Sequence, residues 1–152
     1  MVISNSKKTS ILVLHGPNLN LLGKREPKVY GSTSLKEINT LLNKRALSLG
    51  VKISIFQSNY EGTIVELIHQ SLGKHQGILI NAGAYTHSSL AIADSLLAVE
   101  IPAIEVHLSN IYKRENIRHC SHIAPIAIGQ IVGFGANSYL LGLNALCDHI
   151  SQ

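Results

Sequence analysis

Residues 11–31 read ILVLHGPNLNLLGKREPKVYG, an apolar run that passes through a Gly-Pro turn into an unusually long connection. Ile11 to Leu14 have the continuous apolar character of a strand buried on both faces, as in a parallel sheet. Strand-to-helix connections in such folds take roughly 2 to 6 residues. The connection from His15 to Gly31 is far longer. It holds Gly23 and Gly31 near its ends, Lys24, Arg25 and Lys28 between them, and Tyr30 beside the closing glycine. Leu19, Leu21 and Leu22 argue against a solvated linker, so residues 18–31 are expected to form a lid over a site.

Beyond that loop, Ser34 and Glu37 form an S-x-x-E capping box ahead of Leu35, Ile38, Leu41, Leu42 and Leu49, and Gly50 supplies the stop. This predicts the first long helix. Val51 to Phe56 reads as a second strand, Glu61 to Leu72 as a helix closed by Gly73, and Gly77 to Ile80 as a third strand. Thr86 to Val99 is expected to be helical, Ala103 to Leu108 a strand, Pro125 to Ile128 a fifth strand, and Ala136 to His149 a last helix. Strands alternating with helices imply a parallel sheet covered on both faces. Five of them suggest the flavodoxin-like order 2-1-3-4-5, a three-layer sandwich in one domain over residues 1–152, with residues 1–10 as a flexible N-terminus. Ligands in such sheets sit beyond the carboxyl ends of the strands. His15 to Asn18, Gln57 to Asn59, Asn81 to His87 and His107 to Asn110 should therefore ring one crevice.

Composition bounds the partners. With 152 residues, 45% of them apolar and only 14% charged, the chain has material for one well-packed core. The net charge of +4 is concentrated in Lys24, Arg25 and Lys28 and in Lys113, Arg114 and Arg118. These two groups are either solvated loop charges or two sides of a small-anion site. A nucleic-acid footprint would call for a broader basic face with stacking aromatics. Cys120 and Cys147 are too few for a disulfide framework, which fits a reduced, cytoplasmic setting, and Ile11 to Leu14 is too short for a signal-peptide core. The uncharged run from Ile123 to Cys147 is long enough to span a bilayer, but its Pro, Asn, Gln and Gly residues divide it into a buried strand, a turn and a packed helix.

The predicted rim is rich in donors and poor in carboxylates: Asn18, Arg25, Asn81, His87, His107, Ser109 and Arg118, with Tyr30 on the lid. Acidic residues after the first and third strands, which a metal-dependent phospho-acceptor domain needs, are replaced by His15 and Asn81. Pro17 removes one backbone donor from any phosphate-binding nest, although Ser32 to Ser34 still offer an anion site. His119, Cys120 and His122 have metal-like proximity without a fourth ligand. His107 ends a buried strand, where it reads either as a hydrogen-bonded core residue or as a general acid or base. Glu105, two residues earlier on the same face, is then its orienting partner. Tyr30 reads either as a packing anchor or, with Arg25 and a second arginine beside it, as a base, since positive charge favours the phenolate.

Taken together, GPNLNLLG, REPKVYG, FQSNYEG, NAGAYTHSS, IEVHLSN and GQIVGFG resemble, in that order, the type II 3-dehydroquinate dehydratases over nearly the whole chain. The resemblance implies a flavodoxin-like hydro-lyase that needs no cofactor and no metal. Such an enzyme removes water from 3-dehydroquinate to give 3-dehydroshikimate in the shikimate pathway, and assembles as a dodecamer of four trimers. It implies Tyr30 as the base at C2, Arg25 as its transition-state partner, His107 as the acid at the C1 hydroxyl, and Asn18 as holder of a water against the enolate. Asn81, His87, Leu108, Ser109 and Arg118 are implied as substrate contacts, Arg114 as a further tuner of the tyrosine, and Asp94 as a residue lent by a neighbouring subunit. The chain departs from the common family pattern at His15, Tyr60 and Ala93. Two rival expectations come from other classes: a flavodoxin-like module that binds a nucleotide or flavin without turnover, and a structural homo-oligomer that has lost activity.

Overall fold

The computed structural model describes residues 7–152. Its centre is a five-stranded parallel sheet of order β2-β1-β3-β4-β5, with β1 at Ser10–His15, β2 at Lys52–Gln57, β3 at Gly77–Asn81, β4 at Ala103–His107 and β5 at Gly129–Val132. The expected order is the one observed. The expectation of a flexible segment over 1–10 falls largely on residues 1–6, outside the described residues; Ser10 already belongs to β1, and the Thr9 carbonyl accepts a bond from the Lys52 N–H at 2.8 Å.

The unbroken apolar run of β1 is explained by what covers it. Ile11 and Val13 face α2 (Leu35–Leu49) and α5 (Asn137–Ile150), packing with Ile38, Leu42, Leu143 and Leu146. Leu12 and Leu14 face α3 (Glu61–His69) and α4 (Leu90–Val99), packing with Ile64, Ile68, Ile92 and Leu96. Burying each such side chain stabilises the fold by roughly 1.5 to 3 kcal/mol, so β1 alone ties both layers together. Gly142 lets α5 settle on the sheet: a Cβ there would lie 2.7 Å from Val106 Cγ1 and 2.8 Å from Leu79 Cδ1.

Several elements differ from the sequence reading. The capping box at Ser34 is present with both reciprocal bonds, but α4 begins only after Ser89, whose hydroxyl accepts from the Ile92 N–H at 3.0 Å. Residues Gly83–His87 form a 3-10 turn instead of the first turn of that helix. The fifth strand is not at Pro125 to Ile128. There the Ile126 and Ala127 N–H groups fold back onto the Ile123 carbonyl, and the chain enters the sheet at Gly129, paired with Ile104. The lid is not all loop: a 3-10 turn occupies Leu19–Leu21, and a one-turn helix α1 occupies Pro27–Tyr30. Among the described residues, no helix is long and apolar enough to cross a membrane.

Candidate active site

At the carboxyl edge of the sheet, the chain leaves β1 through Gly16, whose N–H donates to the Asn81 carbonyl at 2.7 Å. A Cβ on Gly16 would lie 2.4 Å from the Ala82 carbonyl, so only glycine lets the exits of β1 and β3 cross this closely. Two residues on, Asn18 adopts a left-handed backbone (φ 67°), and its N–H is held by Asn59 Oδ1 at 3.0 Å. A left-handed non-glycine residue costs about 1 kcal/mol and is characteristic of functional turns. From here the lid runs outward with Leu19 and Leu22 buried beneath it, and returns at Tyr30.

The cavity enclosed by this arrangement is lined by Asn18, Arg25 and Tyr30 from the lid side, by Asn81 and His87 after β3, and by His107, Leu108, Ser109, Arg114 and Arg118 after β4. Every rim residue named from the sequence as a donor is therefore brought together. The two basic groups are divided by the fold: Arg25, Arg114 and Arg118 reach the cavity, while Lys24, Lys28 and Lys113 are exposed and do not line it. Three guanidinium groups and, among the described residues, no lining carboxylate make it a site for an anion.

Arg114 Nη1 donates to the Tyr30 hydroxyl at 2.9 Å. The guanidinium carbons of Arg25 and Arg114 lie 5.2 and 5.3 Å from the Tyr30 ring centroid. The phenol oxygen thus meets the Arg114 guanidinium directly, while that of Arg25 lies over the ring.

Across the rim, His107 Nε2 contacts Glu105 Oε1 at 2.8 Å. Glu105 is fully buried and also accepts from Thr86 Oγ1 at 2.7 Å, from Ser121 Oγ at 2.9 Å to each carboxylate oxygen, and from Gln130 Nε2 at 2.9 Å. Burial alone would raise the Glu105 carboxyl; the bonds from His107, Thr86 and Ser121 outweigh it and hold the group below the usual carboxylate range. An ionised Glu105 fixes the histidine tautomer with a proton on Nε2, so Nδ1 is the atom left free for a ligand. His87 stacks parallel to His107 with ring centroids 6.3 Å apart, and its Nδ1–H donates to the Cys120 carbonyl at 2.7 Å. Burial lowers the His87 imidazole below its ordinary range, and the Cys120 bond only partly opposes this.

Other expectations land differently. His15 and residues 57–59 do not line the cavity. His15 is buried behind it, Asn59 supports Asn18 from below, and Asn110 caps a 3-10 turn by accepting from the Tyr112 N–H. Asp94 is exposed on α4, away from the cavity of its own chain. His119 turns its Nε2 to the Arg114 carbonyl at 2.8 Å, and no three His, Cys, Asp or Glu side chains among the described residues are grouped to hold a metal. Thr86, Ser121 and Gln130 were not legible as site residues. A buried glutamate demands donors, but only the strand register, which sets Gln130 opposite Glu105, says which.

The sheet order and a cationic cavity at the carboxyl ends of its strands define a flavodoxin-like protein with a small-anion site. Within that class, the chain belongs to the family described as Dehydroquinase class II, whose model matches residues 9–147. A Nostoc sp. protein named 3-dehydroquinate dehydratase is 67% identical over 141 residues, covering 93% of this chain and 96% of its own length. The type II dehydroquinase of Butyrivibrio crossotus superposes with a TM-score of 0.90 at 42% identity, over 91% of this chain and 97% of its own. That of Propionibacterium acnes gives 0.89 at 38% identity, over 93% and 97%.

Proposed function

We propose that the chain is a 3-dehydroquinate dehydratase, a hydro-lyase of the shikimate pathway, and that Tyr30 and His107 divide the proton transfers between them. The observation that carries this reading is the pairing, on one cavity, of a phenol bonded to Arg114 under Arg25 with an imidazole backed by buried Glu105. The ketone at C3 acidifies the C2 proton. Tyr30, as phenolate, takes that proton, and the C–H electron pair moves into an enolate with its charge on the C3 oxygen. Asn18 holds a water against that charge. Collapse of the enolate forms the C1–C2 double bond and expels the C1 hydroxyl, which leaves as water with the Nδ1 proton of a His107 imidazolium, whose Nε2–H stays on Glu105 as the ring returns to its neutral form.

Arg118, His87 and Asn81, with the backbone of Leu108 and Ser109, bind the carboxylate and hydroxyl groups. Residues 18–31 close over the bound molecule and exclude bulk water. Asp94, exposed on α4, serves a neighbouring copy, which makes a trimer the smallest complete unit and a dodecamer of four trimers the working assembly. A cytoplasmic location goes with that role. Among the described residues none that lines the cavity is a lysine, so the reaction proposed here runs without a Schiff base.

The test is the rise in ultraviolet absorbance of the conjugated product when chelator-treated protein meets 3-dehydroquinate. Catalytic turnover that persists after borohydride supports this reading. No rise from a folded oligomer would contradict it.

A further inference from the structure

One buried array takes part in these steps only through its first member. It begins at Asn81, the cavity residue that ends β3. The Asn81 side-chain oxygen accepts from the backbone N–H of Gly83 at 3.1 Å. Because that donor is a main-chain amide, the orientation of the Asn81 carboxamide is settled, and its Nδ2 is the atom 3.0 Å from the Tyr139 hydroxyl. Nδ2–H therefore donates to Tyr139. At the far end, His15 Nε2–H donates to Asn39 Oδ1 at 2.8 Å, so the neutral ring accepts at Nδ1 from the Tyr139 O–H at 2.8 Å.

The Gly83 amide at one end and the Asn39 side-chain oxygen at the other thus set the direction of three consecutive bonds that run from the cavity to α2. Tyr139 is wholly buried and His15 and Asn81 nearly so. Burial keeps the relay uncharged, pushing the Tyr139 phenol up and the His15 imidazole down to about 4. The second N–H of Asn81 Nδ2 is engaged by no described residue, and the residue lines the cavity.

We propose that Tyr139, His15 and Asn39 are positioning residues, whose directed hydrogen-bond chain locks the Asn81 carboxamide so that its free N–H is presented to an oxygen of the bound substrate. This rests on the dehydratase reading for the identity of the ligand. Without the chain, Asn81 would still be tied at Gly83, but its Nδ2 would face a buried, apolar wall and gain freedom to rotate away. Gln, Ser or Thr at position 81 would not span from the Gly83 amide to the Tyr139 oxygen in the same geometry.

A double-mutant cycle on 3-dehydroquinate turnover and side-chain amide NMR test this together. Tyr139→Phe removes only the bridging oxygen. It should raise KM about tenfold while kcat changes less than about threefold, the scale of one lost hydrogen bond. In an Asn81→Ala background the same substitution should leave KM unchanged, because the amide that it positions is gone. In protein labelled at asparagine, the Asn81 Nδ2 proton held by Tyr139 should exchange slowly and the cavity-facing one faster, and Tyr139→Phe should shift both and abolish that difference.

An equal rise in KM in both backgrounds, or Asn81 resonances untouched by Tyr139→Phe, overturns the proposal. Should Tyr139→Phe fail to fold, Asn39→Ala at the half-buried end of the chain gives the same two readouts, with a smaller rise of about threefold in KM. Wild-type protein inert towards 3-dehydroquinate would overturn the functional reading alone, since the amide resonances would still decide whether Asn81 is held.

Discussion

The two halves of the cavity are built on opposite principles. The rim half, Glu105, His107 and Asn81, sits on β3 and β4, buried and tied by hydrogen bonds to Thr86, Ser121, Gln130 and Tyr139. The lid half hangs from Leu19 and Leu22, passes through left-handed backbone at Asn18 and Glu26, and brings Arg25 and Tyr30 to the cavity only partly buried. Its side-chain ties to the rest of the chain are few: the Asn59 oxygen that accepts from the Asn18 N–H and the Arg114 bond to Tyr30, while Arg25 pairs at 3.7 Å only with Glu26 of the same segment. On the mechanism proposed above, dehydration needs both kinds of support. An acid must be held in one tautomer and at one place, which a buried carboxylate and a strand end provide. A base must come down onto a substrate that has already entered, which a lightly tied segment allows.

The contrast is broken most sharply by mutation on each side. Tyr30→Phe should lower kcat by about 10³-fold or more while the melting temperature stays within a degree or so, because the hydroxyl has little share in the core. Glu105→Gln should harm both properties. An amide in place of the carboxylate cannot accept from Thr86, His107, Ser121 and Gln130 together, so stability should drop by about 2 to 4 kcal/mol in denaturant titration, with a loss of turnover as His107 loses its tautomer. A Glu105→Gln protein as stable as wild type would show that the rim is not the rigid half.

Stability against pH sharpens the same point. His15 is held at about 4 in the fold against an ordinary value of 6.5, mainly by burial. Its contribution is whole above 6.5 and is lost as pH falls towards 4, since the unfolded chain takes up a proton that the native one refuses. The loss amounts to about 3 kcal/mol, and His15→Asn should flatten the curve over that interval. The smallest effect belongs to α2: Ser34→Ala should cost about 1 kcal/mol by removing the capping box and leave kcat and KM unchanged.

What was legible in the sequence follows the same division. Buried strands and long amphipathic helices announce themselves through apolar runs, caps and glycine stops, so β1, α2 and the strand order could be read from residues such as Ile11 to Leu14 and Ser34 to Gly50. The fifth strand could not. Gly129 and Gly133 carry the signature of turns, and Pro125 to Ile128 looks more strand-like than the segment that enters the sheet. One-turn elements such as Pro27–Tyr30 are too short to leave a period. In the site, side chains on motifs were legible one by one, while Ser121, Gln130 and Tyr139 were not, because their roles arise from packing between elements distant in sequence.

The central claim is that proton removal by the lid precedes hydroxyl loss assisted by the rim. Its most direct test is exchange of the C2 proton of 3-dehydroquinate with deuterium oxide, followed by NMR, in two variants. His107→Ala should exchange that proton while forming little product, and Tyr30→Phe should do neither. Exchange that persists in Tyr30→Phe, or that vanishes in His107→Ala while the protein still binds substrate, would contradict the division of labour between lid and rim.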